Sequence, residues 1–249
     1  MRKYKIFIPV TAQVAMFHNC LTRIPDKTKL VVINNFDNDE IETKCKELEE
    51  QGAEVLRYPW NPGVAPSFNI AMKRMDKDSD DLDFVLVLSP ACLFDRSVED
   101  WAERVDKEED KEKRYYYNAQ ANFLSDMHCI AFTRKMYDEF GLWDENLQPY
   151  GYDDQDTQYR FKLMGVMTTM LYGVPRTSQK LGGGVGSDMR VFNHYQRSVN
   201  FQHNYFIRKW GGVFTQEKFT RPFNDSALDI NYWKLETENI VKIDPKGGI

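Results

Sequence analysis

Short apolar runs and amphipathic stretches alternate through the first half of the chain, and their periods separate strands from helices. Residues 5–10 (Lys-Ile-Phe-Ile-Pro-Val), 30–33 and 83–88 (Asp-Phe-Val-Leu-Val-Leu) are apolar almost throughout, the pattern of strands covered on both faces. Residues 12–23, 39–51 and 66–75 predict helices, the second of them charged and ended by Gly52. A further strand is predicted over 54–58. Strands that alternate with helices in this way build an α/β fold around a mainly parallel sheet.

The second half is less regular. The charge-rich stretch 97–114 predicts a solvated helix and loop without chemistry. Strands are expected over 115–117, 127–133 and 166–172, and a short helix over 134–140 that stops at Gly141. Gly182-Gly183-Gly184-Val185-Gly186-Ser187 reads as a loop. A helix over 190–209 carries Phe192, Tyr195, Val199, Phe206 and Trp210 at mixed three- and four-residue steps, and Gly211-Gly212 stops it. One domain over 1–212, with halves 1–95 and 96–212, and an arm or tail over 213–249 is the organisation expected.

Composition narrows the class. With 249 residues, 42% of them hydrophobic, the chain buries a full core and disorder is excluded as its main state. The formal net charge of −5 gives no overall attraction to nucleic acid or anionic lipid. Cys20, Cys45, Cys92 and Cys129 form no C-x-x-C pair and read as reduced thiols, and no run approaches the roughly 20 apolar residues of a membrane span. A cytoplasmic protein is expected.

The densest candidate chemistry lies at Gly141-Leu142-Trp143-Asp144-Glu145, Gly151-Tyr152-Asp153-Asp154-Gln155-Asp156 and the amphipathic stretch that follows to Gly165. Five carboxylates between 144 and 156 precede a helix, where backbone dipoles favour negative charge. Capping and solvation explain some of them without a site.

In order along the chain, strand, Pro9, helix, strand with Asn34-Asn35-Phe36-Asp37-Asn38-Asp39, then Asn61-Pro62-Gly63-Val64-Ala65 and Asn69, resemble the nucleotide-binding half of family 2 glycosyltransferases. Gly141 to Glu145 resembles that family's G-x-F-D-E segment, Tyr152 to Asp156 its Y-E-D-x-D motif, and Tyr205-Phe206-Ile207-Arg208-Lys209-Trp210-Gly211-Gly212 a downstream Y-x-x-K-W-G segment. The resemblance spans about residues 4 to 212 and implies the GT-A fold, with a Rossmann-like, mainly parallel sheet flanked by helices and a C-terminal helical arm. Residues 1–95 would then be the nucleotide-sugar half and 96–212 the acceptor half.

The implied reaction moves a sugar, from a UDP-sugar donor, to an acceptor hydroxyl with inversion. Direct displacement needs a base for the hydroxyl proton. Asp154 aligns with that base and Asp153 stands beside it in place of the usual Glu, while Asp156 is assigned to structure. Trp143, Asp144 and Glu145 are expected on the acceptor wall, with core packing the rival for Trp143. Pro9, Thr11, Asn34, Asn61, Gly63, Asn69, Ser89 and Ala91 are expected around the donor, a loop turn being the rival for Asn61 and Gly63.

The chain departs from the family on the donor side. Ser89-Pro90-Ala91 stands where the family has its D-x-D motif, and alanine cannot ligate Mg²⁺ or Mn²⁺. Asp95, His194 and His203 are the substitute ligand candidates. Basic side chains could hold the diphosphate instead, with Arg190 and Lys209 chosen from a set that includes Arg176, Lys180, Arg197 and Arg208. A non-catalytic glycan- or nucleotide-binding module is the alternative reading. The acceptor stays open among glycan, lipid-linked glycan, protein and modified DNA, the last resting on a basic patch of Arg197, Arg208, Lys209, Lys218 and Arg221.

Overall fold

A computed structural model of the chain describes residues 2–10, 14–35, 38–58, 61–90, 94, 96–107, 116–118, 129–148, 151–165, 169–170 and 189–236. Its seven strands are β1 (Tyr4–Val10), β2 (Leu30–Asn34), β3 (Glu54–Arg57), β4 (Phe84–Leu88), β5 (Tyr116–Asn118), β6 (Cys129–Thr133) and β7 (Thr169–Met170). They form one sheet in the order β3-β2-β1-β4-β6-β5-β7. Only β6 runs against its neighbours, β4 and β5; the remaining pairs are parallel. The mainly parallel α/β sheet expected from the alternating pattern is what the chain builds.

The helices are α1 (Val14–Leu21), α2 (Asp39–Glu50), α3 (Val64–Lys73), α4 (Val98–Lys107), α5 (Arg134–Phe140), α6 (Asp153–Met164) and α7 (Met189–Trp210). Side chains on a strand alternate between faces, and β1 shows the consequence. Its Tyr4, Ile6, Ile8 and Val10 join Phe17 of α1, Cys45 of α2 and Trp101 of α4 in one core layer. Its Phe7 joins Phe68 of α3, Met136 and Phe140 of α5 and Phe161 of α6 in the layer on the other side. Tyr159 of α6 and Phe206 and Trp210 of α7 make a third, smaller cluster.

Local chemistry sets the ends of these elements. The Asn38 side chain accepts hydrogen bonds from the Glu40 and Ile41 amides and caps α2, whose first turn carries Asp39, Glu40 and Glu42. Thr133 caps α5 in the same way, and Gly141 ends it at φ 70°. Helix α3 starts two residues before the expected Pro66, because proline is tolerated in a first turn whose amides have no helical partner. Pro9 lies in a central strand, beyond the last β1–β4 pair at Phe7 and Val87, where its missing N–H takes nothing from that ladder.

One expectation is overturned. The charged stretch read as a solvated helix contains α4, and its Val98, Trp101, Ala102 and Val105 are fully buried. Those four sit at i, i+3, i+4 and i+7, one helical face turned to the core while the charges take the other. Of the strand expected over 166–172 the structure describes Thr169–Met170, and the glycine loop at 182–187 lies outside the described residues.

Beyond α7 the chain reverses. The amides of Lys218 and Phe219 both donate to the Trp210 carbonyl at 3.0 Å. Residues 219–236 then lie back across the second half of the domain, with Tyr159 donating to the Phe219 carbonyl (2.9 Å) and Asn231 to that of Glu139 (3.1 Å). No helix among the described residues is long and apolar enough to cross a membrane. Cys20, Cys45 and Cys129 are buried thiols outside any disulfide among the described residues.

Candidate active site

Open parallel sheets bind ligands outside the carboxyl ends of their strands, where the strand order changes direction. Here that point lies between β1 and β4, so Val10, Asn34-Asn35 and Ser89 mark the crevice. The Asn34 side chain donates to Glu42 (3.2 Å), and the Asn34 backbone carbonyl accepts the Tyr58 amide (3.2 Å). Asn35 donates its backbone N–H to the Val10 carbonyl (3.0 Å) and its side-chain amide to the Ser67 hydroxyl (3.2 Å). Its buried Oδ1 has no partner among the described residues. Two amides and one hydroxyl on a crevice edge supply both donors and acceptors without a formal charge.

Asn61 and Gly63 serve the start of α3. The Asn61 Oδ1 accepts the Gly63 amide at 2.9 Å, and Ser67 donates to the Gly63 carbonyl at 2.6 Å. Gly63 itself has φ 87° and ψ −174°, a conformation that a Cβ disfavours. The turn reading of this pair fits these bonds.

Asn69 is not at the donor crevice. It is buried on α3 and accepts the Trp143 amide (2.8 Å) while donating to the Trp143 carbonyl (3.0 Å) and to Glu145 (2.8 Å). One side-chain amide thus satisfies both polar groups of a buried peptide, and ties the segment after Gly141 to the sheet. Trp143 consequently drops into the core, edge-on to Phe68 (4.8 Å between centroids) and Phe132 (6.0 Å), and is 1% exposed. It offers no open face to a sugar ring. Glu145, half-buried, is the one of the three acceptor-wall residues that reaches the surface.

Asp144 is enclosed as well. It accepts hydrogen bonds from the Asn146 amide (3.0 Å), the Asn146 side chain (2.8 Å), the Tyr205 hydroxyl (2.8 Å) and the Lys209 ammonium (2.7 Å). The same ammonium lies 2.8 Å from Asp156, which also accepts from Arg160 (2.9 Å) and the Trp210 indole (2.8 Å). All four charged side chains are 0% or 1% exposed. Lys209 was expected on the diphosphate; held between two buried carboxylates, it has no open face for one. Burial raises the Asp156 carboxyl, but the Lys209 and Arg160 charges outweigh it and hold the group below its ordinary value. The structural role expected of Asp156 agrees with these contacts.

The first turn of α6 carries the remaining carboxylates. Gly151 (φ 111°) and Tyr152 (φ 63°) bring the chain into the helix through left-handed backbone, and the Tyr152 ring rests on His203 (5.3 Å) and Phe206 (5.4 Å) of α7. Asp153 is buried and accepts the Gly151 amide at 2.7 Å. Burial, with the Asp156 charge adding to it, pushes its carboxyl up to about 6. Asp154 accepts the Gln155 amide at 2.9 Å and is the only half-buried carboxylate of the three in this turn.

Thr11, Ala91 and Asp95 lie outside the described residues; Arg190 and His194 are placed on α7, with their side chains outside. Among the described residues no group of three His, Cys, Asp or Glu could hold a metal ion. Ser89 and Pro90 do not fit a divalent cation, which takes several oxygen ligands, carboxylates foremost. The basic patch read from the sequence is not one surface, because Lys209 is buried and Arg208 pairs with Glu236 (2.5 Å).

No protein-family model matches the chain, and no curated protein does. Among solved structures it is similar to GalNAc-T7 with UDP, GalNAc and Mn²⁺, at 14% identity and TM-score 0.53, covering 84% of this chain. The chain spans half the length of that protein. A cytidylyltransferase from Leptospira borgpetersenii serovar Hardjo-bovis follows at 13% identity and TM-score 0.47, covering 88% of this chain and 99% of that one. A Drosophila β-1,4-galactosyltransferase 7 with manganese, UDP-Gal and xylobiose stands at 11% and 0.44, covering 72% and 68%. The last two scores are too low to carry an argument. What the first likeness shows is architecture: the chain has a GT-A, Rossmann-like fold.

Proposed function

We propose that this chain is a glycosyltransferase that moves a sugar from a nucleotide sugar, a UDP-sugar, to an acceptor hydroxyl with inversion. The observation that carries the reading is the first turn of α6, in which Asp153 and Asp156 are buried and Asp154 keeps accessible surface on a GT-A frame. Asp154 is the general base. As the acceptor oxygen bonds to the anomeric carbon, its proton passes to Asp154 and the bond to the donor diphosphate breaks, releasing UDP. Attack opposite the leaving group inverts the centre.

Asp153 shapes the turn through its bond to Gly151, and Glu145 is the acceptor-side residue with surface to contact a ligand. On the donor side, Pro9, Asn34 and Ser89 flank the crevice, and Arg190 in the first turn of α7 is assigned to the diphosphate. Among the described residues Ser89 and Pro90 offer no carboxylate to a divalent cation.

The test is hydrolysis or transfer from a panel of nucleotide sugars, with Mn²⁺ and with EDTA, in the parent and in Asp154→Asn. Turnover in the parent, lost by about a hundredfold in the variant, is expected. Equal turnover in both sinks the base assignment. A second reading, a non-catalytic nucleotide- or glycan-binding module, is favoured by Ser89-Pro90 in place of acidic residues; binding of UDP by calorimetry without turnover of any donor would establish it.

A further inference from the structure

The Tyr205 to Gly212 segment has no part in the chemistry just described, yet its side chains reach the site. Lys209 bridges Asp144 of the 141–147 segment and Asp156 of α6, at 2.7 and 2.8 Å. Trp210 donates its indole N–H to the same Asp156, and Tyr205 its hydroxyl to Asp144. The glycines that follow stop α7 directly behind these groups: Gly211 has φ 75°, and a Cβ on Gly212 would stand 2.1 Å from the Gln216 carbonyl oxygen.

Two buried carboxylates and two buried cations give little net stability over an apolar filling of the same shape, because each charge loses its hydration. What such a network supplies is one allowed arrangement of the segments that bear it. These are the turn that contains Asp144, the first turn of α6 and the end of α7. The first is also fastened to α3 by Asn69, and Arg160 of α6 donates to the Leu142 carbonyl (3.2 Å).

The geometry points to Lys209 and Trp210 as positioning residues that act through Asp156 to set the placement of the first turn of α6, and with it Asp153 and Asp154. The inference rests on the proposed reaction for its catalytic consequence, but not for its physical content. Asp153 accepts the Gly151 amide, and the charge that acts on it is that of Asp156, three residues on in the same turn and held in turn by Lys209, Arg160 and Trp210. Removing the Lys209 charge leaves the Asp156 carboxylate less compensated and makes Asp153 harder to ionise; removing the Asp156 charge makes it easier.

The experiment is a carbon-13 titration of the aspartate carboxyls, with the Asp153 signal identified by its loss in Asp153→Asn. Opposite displacements of its midpoint follow from the charges alone, upward in Lys209→Met and downward in Asp156→Asn; a displacement in Trp210→Phe, which changes no charge, reads the placement of the turn. Trp210→Phe keeps an aromatic ring while removing the indole donor and part of the buried volume, and it serves where Lys209→Met does not fold. Its expected effect is a fall in kcat for UDP-sugar hydrolysis of about threefold to tenfold with KM unchanged. An unchanged Asp153 midpoint or an unchanged kcat in Trp210→Phe overturns the proposal. A parent protein that hydrolyses no nucleotide sugar defeats the proposed reaction instead, and the carboxyl titration then decides the positioning role by itself.

Discussion

The proposed donor crevice and the proposed acceptor half solve the same problem, holding polar groups at the end of a sheet, with different materials. At the crevice Asn34, Asn35, Asn61 and Ser67 are neutral and bond to groups at most 32 residues away. In the acceptor half Asp144, Asp156, Arg160 and Lys209 are charged, fully buried, and joined across as many as 65 residues. Neutral amides lose little when a bond is exchanged for one to a ligand, so the crevice can exchange its internal bonds for those of a polar ligand. Buried charges lose far more when a partner is removed, so the acceptor half holds one geometry.

The largest effect should come from breaking the charged side. Lys209→Met is expected to lower stability by about 3–5 kcal/mol, since it leaves buried Asp144 without a counter-charge and Asp156 with Arg160 alone; urea denaturation measures it. Asp154→Asn should leave stability nearly unchanged while turnover falls by about a hundredfold, which separates chemistry from scaffold in the same turn. Asn69→Ala, which strands the amide and carbonyl of Trp143, should cost about 1–3 kcal/mol and loosen the acceptor segment. Asn34→Ala on the crevice should be the mildest, changing the unfolding midpoint by about 1 kcal/mol or less and raising the dissociation constant for UDP.

A pH series sharpens the contrast. The Asp153 carboxyl lies at about 6 in the fold against an ordinary 3.8, so the folded state binds its proton more tightly than the unfolded chain does. Its contribution is complete below the ordinary value and declines as pH rises through about 6. Urea midpoints of Asp153→Asn, compared with the parent at several pH values, should therefore improve on the acid-to-neutral side of that window. Asp156, held below its ordinary value, works in the opposite direction, its contribution being lost as pH falls.

Much of the fold was legible because its signals are local. The apolar runs of β1, β2 and β4 and the Gly52, Gly141 and Gly211 stops each act within a few residues. The spacing of Val98, Trp101, Ala102 and Val105 was legible too, but the surrounding charge obscured it. The acidic turn of α6 could be read as a site, and the i, i+4 pair of Asp156 and Arg160 could have flagged its buried side. What could not be read was which charges lose their water. Trp143, Asp144 and Lys209 look surface-seeking or ligand-seeking in sequence, and their burial depends on Asn69, Asn146 and Tyr205, whose proximity only the folded chain creates.

The docked arm bears on the order in which the molecule is completed. Asn146 donates to the Lys234 carbonyl (2.9 Å) and accepts the Glu236 amide (2.7 Å), partners 88 and 90 residues later in the chain. During synthesis the sheet strands from β1 to β4 are available long before them. The segment around Asn146 is therefore completed only after residues 234–236 have been made, and a nascent chain stalled before residue 234 carries the β1–β4 strands beside a 141–147 segment still lacking these hydrogen bonds.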